Sequence, residues 1–512
     1  MTRNYLEILA ETIRNNWDQP ALTDFYLTED GSAQDTSRGN HYTYGEMYAK
    51  IVQVADLLTR LGLQKGDHIA ICGANSAHWV IAYLAIAKMQ GVSVTIMHSL
   101  QPDEIARLID FSDAKALFVE KELWEGLREQ SLLQVKNVIA LEDWNVLVGE
   151  KQITNNQLQI TNDQCQFVHG EVDELAMICF TSGTSGSAKG VMLSYCSISN
   201  NVLHSTLSYN VDASNRSYLS LLPWSHIYGL MCDVFAQLML GKNIYINKVS
   251  TIMKIAEAIL YLKPYALTTL SLVIMGIYEK SGSKFFEQLS RFCRICAIGG
   301  SKISPEVERL FVVNKIPMCI GYGTTETGPM ISGETSYKFH KTGTCGRSVH
   351  GMKIEIAPNG EIIVNGENVM LGYYKDPEAT ARKIDADGWL HTGDKGHLDE
   401  DGYLYVEGRL EQDIIVLPNG ENIRPDSIEA LINAMPEVKE SIVLAREGKL
   451  VAIVVAAYSQ PLPKGKGDDI RRAILRAINP QLPLFSQLYD VEITDQPLAR
   501  TEKQTIKRYL YR

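Results

Sequence analysis

Short apolar runs alternate with stretches of helical period along most of the chain. His68-Ile69-Ala70-Ile71-Cys72-Gly73 reads as a strand, 77–89 as a helix and 92–97 as a second strand. A helical pattern over 103–111 and a strand over 116–119 follow. This β-α-β-α-β order predicts parallel strands joined by crossover helices. Further apolar runs at 176–180, 217–222, 243–247, 266–270, 295–298 and 317–320 extend it. Their continuity is what strands covered on both faces require.

Elsewhere the texture changes. The stretch 153–169 is rich in Asn and Gln with weak periodicity, and reads as a surface connection between subdomains. After about residue 343 come short strands and polar turns such as Ala357-Pro358-Asn359-Gly360 and Asp399-Glu400-Asp401-Gly402, which predict a small β-rich subdomain. From about residue 413 an α+β unit is expected: a strand, a helix over 425–433, strands over 438–444 and 450–457, a helix over 468–478 and a basic tail. The predicted fold is therefore α/β. A large N-terminal domain, 1–408, holds doubly wound parallel-sheet subdomains to about 342 and the β-rich subdomain after it. A small α+β C-terminal domain occupies 409–512.

Composition narrows the function. Of the 512 residues 45% are hydrophobic and 21% charged, an ordinary globular balance. At about 150 residues per domain the chain has room for roughly two to four. The net charge of −11 disfavours nucleic acid as a partner but leaves anionic small molecules open, because a local pocket can oppose the global charge. Nine cysteines, an odd number, fit reduced thiols in a cytoplasm. Cys293-Arg294-Ile295-Cys296 has metal-like spacing, but no second pair follows, so structural cysteines are expected. Acids within the first apolar pattern, at Glu7 and Glu11, argue against a signal or transit peptide. The membrane-like stretches 79–97 and 219–240 are interrupted by Lys88, Gln90 and Gly91 and by His226, Asp233 and Gln237, so no transmembrane segment is expected.

Candidate chemistry centres on Phe180-Thr181-Ser182-Gly183-Thr184-Ser185-Gly186-Ser187-Ala188-Lys189-Gly190, directly after an apolar strand. Small residues let a backbone approach a ligand, hydroxyls and N–H groups donate to phosphate oxygens, and Lys189 adds a point charge. The spacing does not fit a Walker loop. The segment resembles the phosphate-binding loop of the AMP-forming acyl-adenylating superfamily: acyl-CoA synthetases, carrier-protein adenylation domains and luciferases. Further motifs follow in that family's order. Leu222-Pro223-Trp224-Ser225-His226-Ile227-Tyr228-Gly229 resembles its substrate-gating segment. Gly321-Tyr322-Gly323-Thr324-Thr325-Glu326-Thr327 is similar to its adenine and magnesium motif, Trp389-Leu390-His391-Thr392-Gly393-Asp394 to its ribose motif, and Tyr405-Val406-Glu407-Gly408-Arg409 to the entry to its hinge.

The resemblance implies roles that suit these side chains. Tyr322 offers a flat face for adenine. Thr325 can donate to the α-phosphate, and Glu326 is a hard oxygen ligand for Mg²⁺. Asp394 has two acceptor oxygens for the ribose hydroxyls, with Arg409 similarly placed. Gly300 and Ser301 join the nucleotide set. His226 orients the acyl group, and Trp224, Gly229, Gly299 and Gly300 are expected around the acyl pocket, the glycines because they leave room for ligand. The C-terminal domain becomes a mobile lid after a hinge near 409–413.

Two departures stand out. The family's hinge reads Gly-Arg, two residues, then Asp; here Gly408-Arg409-Leu410-Glu411-Gln412-Asp413 is one longer, and either Glu411 or Gln412 takes the pivot. The family also carries an adenylation lysine near the C-terminus, where this chain has Thr505. The tail 500–512 holds five basic residues and one acid. In an extended tail Lys503 and Lys507 share a face with Thr505. Lys503 is the expected substitute, since Lys507-Arg508 match basic residues the family already carries.

The implied activity is ATP- and Mg²⁺-dependent activation of a carboxylic acid to acyl-AMP, followed by transfer to a thiol, CoA in the first instance. The segment 414–423 resembles fatty-acyl members and points to an aliphatic acid. A stand-alone enzyme that loads the phosphopantetheine arm of an acyl carrier protein, and a non-catalytic nucleotide-binding homologue lacking the lysine, are the alternatives.

Overall fold

Strand His68–Cys72 buries every side chain but the first, and it pairs in parallel with Val92–Ile96 on one side and Ala116–Val119 on the other. The helix between the first two strands, Ala77–Lys88, buries every residue except Lys88. A helix apolar all round belongs in a core, which accounts for the membrane-like reading of this stretch. Among the described residues no helix is long and apolar enough to cross a membrane.

The computed structural model describes residues 3–28, 34–35, 38–130, 132, 134–149, 160–181, 188–209, 215–249, 251–299, 305–334, 340–410, 415–418, 421–457, 465–498 and 511; of residues 205–209, 409 and 426 it describes the backbone alone. The chain divides into two compact units. The larger comprises Met1–His98, Pro102–Thr181 and Gly190–Leu410, and the smaller is formed chiefly by Glu411–Arg512.

In the larger unit an eight-stranded sheet runs Gly372–Tyr373, Lys189–Ser194, Leu175–Thr181, Val92–Ile96, His68–Cys72, Ala116–Val119, Asn137–Ala140, Val146–Val148. Its centre, from Leu175–Thr181 to Asn137–Ala140, is parallel throughout. A second sheet sets Asn243–Asn247 between Ser217–Ser220 and Pro20–Phe25, both parallel to it. A third carries Ala266–Thr269, Ile295–Ile298 and Met318–Gly323 in parallel, then turns back antiparallel through Met330–Gly333. The β-rich part is an antiparallel sheet of Met352–Ile356, Glu361–Gly366, Leu390–Leu398 and Leu404–Arg409.

In the smaller unit Val438–Arg446 and Lys449–Ala456 form an antiparallel pair, and Leu488–Thr494 adds a third strand parallel to the second. Helices Pro425–Asn433 and Lys466–Ile478 supply apolar faces to its core.

Where it is described, the polar stretch 153–169 is mostly exposed, as a surface connection should be, but it is anchored at two residues. Cys165 and Phe167 are buried in the core of the larger unit. Arg14 donates to the Cys165 carbonyl at 2.6 Å, and Tyr48 Oη and Lys88 Nζ donate to that of Gln166 at 2.8 and 2.9 Å. The segment is a surface strap fastened by distant side chains. Cys293 and Cys296 are both buried. The neighbouring Cys293 thiol and burial push the Cys296 thiol well above its usual range, as befits structural cysteines.

Candidate active site

Strand Met318–Gly323 leaves its sheet through a tight turn, Thr325–Thr327, before returning as Met330–Gly333. The turn requires a glycine at 323, because a Cβ there would lie 1.7 Å from the Pro329 carbonyl oxygen. Thr327 Oγ1 closes the turn, accepting from the Thr324 amide at 3.2 Å and donating to the Pro329 carbonyl at 2.7 Å. Asn201 clamps it from outside: Nδ2 donates to the Thr327 carbonyl at 3.0 Å, and Oδ1 accepts from the Met330 amide at 2.8 Å.

Glu326 sits on this turn. Tyr373 Oη donates to its Oε1 at 2.7 Å. Burial pushes the carboxyl's pKa up, but the Lys383 ammonium and the Tyr373 hydrogen bond outweigh it, so the net shift is downward and the group is ionised at neutral pH. Lys383 also donates to the Thr392 carbonyl at 3.0 Å, linking this turn electrostatically to strand Leu390–Leu398, which carries Asp394.

That strand brings two distant motifs together. Tyr322 Oη donates to Asp394 Oδ2 at 2.6 Å, and Asp394 is only 7% exposed. Thr392 Oγ1 donates to the Ile362 carbonyl at 2.6 Å and accepts from the Asp394 amide at 3.0 Å. Glu361 braces the same strand, accepting from the Gly393 amide at 2.9 Å and meeting His391 Nδ1 at 2.9 Å. Asp394 stands opposite Arg409 in the antiparallel register.

His226 caps the N-terminus of Ile227–Gly229, accepting from the Tyr228 amide at 3.4 Å. The ring is exposed, yet desolvation by the surrounding protein lowers its pKa. With its pKa lowered from an ordinary value of about 6.5, the imidazole is neutral at neutral pH.

Around His226 two expectations need correction. Trp224 is fully enclosed, its ring 6.2 Å from that of Trp79 and its Nε1 donating to Ser220 Oγ at 2.9 Å; it is a core residue rather than a pocket wall. Gly229 leaves no room for a ligand, since a Cβ there would lie 2.3 Å from the Pro223 carbonyl oxygen. Its missing side chain serves backbone packing. At Gly299 a Cβ would lie 3.0 Å from Tyr228 Cζ, so that glycine lets the Tyr228 ring lie against the backbone.

Thr181 ends strand Leu175–Thr181 and Lys189 opens Lys189–Ser194. Gly321 and Thr325 take their positions from the strand and turn described above. Ser182, Gly183, Thr184, Ser185, Gly186, Gly300, Ser301, Glu411, Gln412 and Lys503 lie outside the described residues, as does the Arg409 side chain. Tyr373, Lys383 and Glu361 escaped the sequence reading, because their partnership with Glu326 and the Asp394 strand exists only across elements far apart in the chain.

A magnesium ion fits this donor set. Glu326 is an ionised hard-oxygen ligand, and among the described residues no group of three or more His, Cys, Asp or Glu could hold a metal alone. An ion here would take its remaining ligands from phosphate oxygens and water, as Mg²⁺ commonly does in nucleotide sites.

Comparison with known proteins gives a concordant result. Residues 9–374 match the family described as AMP-binding enzyme, and residues 412–511 match the AMP-binding enzyme C-terminal domain. A 4-coumarate–CoA ligase of Oryza sativa subsp. japonica is 27% identical over 491 residues, spanning 90% of this chain and 85% of the relative. A 2-succinylbenzoate–CoA ligase of Oceanobacillus iheyensis is 27% identical over 453 residues, 86% of this chain and 89% of that one. Among solved structures, o-succinylbenzoate CoA synthetase (MenE) from Bacillus subtilis, bound with a product analogue, superposes with a TM-score of 0.77 at 22% identity, over 98% of this chain and 97% of that chain. Apo MatB from Rhodopseudomonas palustris does so with 0.68 at 22% identity, over 100% and 98%. These structures share the fold. The two ligases are named for aromatic acids, so the aliphatic expectation drawn from 414–423 finds no support in them.

Proposed function

The chain belongs to the AMP-binding enzyme family, and on that premise we propose that it is an AMP-forming acid–CoA ligase. A carboxylate oxygen of the acid attacks the α-phosphorus of ATP, and pyrophosphate leaves. The CoA thiolate then attacks the acyl carbonyl, and AMP leaves with its phosphate. The observation that carries the reading is the 2.6 Å hydrogen bond between Tyr322 and Asp394, 72 residues apart, one strand end away from the ionised Glu326. A flat ring, a paired-acceptor carboxylate and a hard anionic ligand are what adenine, ribose and a phosphate-bound cation need.

In this reading Tyr322 stacks on adenine, and Asp394 accepts from the ribose hydroxyls. Thr325 donates to the α-phosphate, while Thr181, Lys189 and the loop 182–186 receive the outer phosphates. Bound Mg²⁺ would supply charge neutralisation on the triphosphate, with Glu326 as its protein ligand. Neutral His226 orients the acid carboxylate without competing as a cation. Alignment and charge neutralisation carry the rate enhancement. Lys503 supplies the cation that Thr505 does not, and Glu411 or Gln412 is the pivot between steps.

CoA is the acceptor in this proposal because the ligases it is similar to are named for CoA; the comparisons lend nothing to a carrier protein. Aryl acids are the first class to test, for the same reason. The experiment is pyrophosphate release from ATP with a panel including 4-coumarate, 2-succinylbenzoate and straight-chain fatty acids, with and without CoA. Acid-dependent release that Glu326→Gln abolishes supports the reading; release with no acid in the panel overturns it.

A further inference from the structure

The segment that presents His226 is held from two sides by residues far from the nucleotide motifs. Within 221–226 only Pro223 and His226 are exposed. From one side Asp233, fully buried on the π-helical turn Leu230–Phe235, accepts at a single oxygen from the amides of Leu221 and Leu222, both at 3.0 Å, and from Ser220 Oγ at 2.9 Å. Its other oxygen accepts from Tyr218 Oη at 2.7 Å. From the other side Asn75, in the turn after His68–Cys72, donates to the Leu222 carbonyl at 2.7 Å and accepts from the Trp224 amide at 2.9 Å. Lys248 Nζ holds Asn75 in turn through its carbonyl, at 2.5 Å.

A loop ordinarily leaves such groups to water. A buried carboxylate on an irregular helical turn is expensive unless its hydrogen bonds do something, and π-turns recur at functional sites. Here the bonds remove the freedom of the residues that immediately precede His226. We propose that Asn75 and Asp233 are positioning residues that together fix the backbone presenting His226 to the acid. They touch neither acid nor nucleotide. The inference rests on the function proposed above, because it takes His226 to face the acid.

The test compares wild type with Asn75→Ala, which changes a half-buried turn residue, and with Asp233→Asn, which keeps one acceptor for the Leu221 and Leu222 amides and sets an amide donor against Tyr218 Oη. Pyrophosphate release is measured with 4-coumarate, or with whichever acid of the panel wild type uses best. Hydrogen–deuterium exchange of peptides spanning 219–230 is measured in parallel. Asn75→Ala should raise KM for the acid by about tenfold or more, leave KM for ATP within about twofold, and speed exchange in 221–226, since each lost bond frees a backbone group. An unchanged acid KM, or acid and ATP KM rising together, overturns the proposal; so does unchanged exchange in 221–226. If wild type releases no pyrophosphate with any acid, the ligase reading fails, whereas the exchange measurement still decides whether the clamp holds the segment. Should Asp233→Asn fail to fold, the Asn75 arm stands alone and keeps both outcomes.

Discussion

Replacing Asp394 by alanine should weaken ATP binding by about 10- to 150-fold, the equivalent of one charge-assisted hydrogen bond of about 1.5–3 kcal/mol. The carboxylate is 7% exposed and already holds Tyr322 Oη at 2.6 Å, so water is a poor substitute for it once removed. Tyr322→Phe removes that donor but keeps the ring face, and should cost less than Asp394→Ala. Because the two groups touch, their effects should not add; a coupling of about 0.5–3 kcal/mol is expected of contacting residues. Asp394→Asn keeps one acceptor and should fall between wild type and alanine. Calorimetry of Mg²⁺·ATP binding to the four members of the Tyr322→Phe/Asp394→Ala cycle measures this, with thermal unfolding as the check that each variant folds. Unchanged ATP affinity in Asp394→Ala would refute the ribose assignment. Strict additivity would refute the idea that Tyr322 and Asp394 work as one unit.

Other consequences follow from the same structure. Gly323→Ala would set a Cβ 1.7 Å from a carbonyl oxygen, whereas at Gly321 the nearest atom is 3.6 Å away; calorimetric melting should show Gly323→Ala destabilised by about 1–3 kcal/mol and Gly321→Ala near wild type, and equal melting temperatures would contradict the close approach. His340 lies 2.8 Å from Glu334 and 2.7 Å from Glu308, and these carboxylates outweigh burial to raise its pKa. Its stabilisation is therefore fully present below the unfolded value of about 6.5 and lost as pH rises through the raised folded value. The melting-temperature gap between wild type and His340→Gln should be wide in mildly acidic buffer and close in alkaline buffer; a gap that does not change with pH sinks this reading. Lys503→Ala should slow acyl-AMP formation by about 10- to 150-fold while sparing the reaction of preformed acyl-AMP with CoA, and intact adenylation in single-turnover assays would exclude it as the substitute cation.

The parallel core was legible because its strands are continuous apolar runs: Ala116–Val119, Asn243–Asn247 and Ile295–Ile298 have the bounds their patterns predict. Leu488–Thr494 was not, since Tyr489 is 63% exposed, and the strand owes its place to pairing with Lys449–Ala456. The strap around Cys165 and Phe167 escaped notice for a similar reason: Arg14, Tyr48 and Lys88, which bury it, come from elsewhere in the chain. At the site, Tyr322, Glu326 and Asp394 stood in recognisable motifs, whereas Tyr373, Lys383 and Glu361 became visible only once the turn and the strand Leu390–Leu398 were folded together. Trp224 and Gly229 show the converse. Both lie within a motif, and local packing rather than ligand space explains them.

The most direct test of the central claim follows one oxygen atom. An acid that supports pyrophosphate release is prepared with ¹⁸O in its carboxylate and turned over with ATP, Mg²⁺ and CoA. If its carboxylate attacks the α-phosphorus, the bridging oxygen stays with the phosphate when the thiol displaces it, and mass spectrometry should find one ¹⁸O in AMP. Label in inorganic phosphate with ADP as the nucleotide product, or unlabelled AMP alongside thioester, would contradict it.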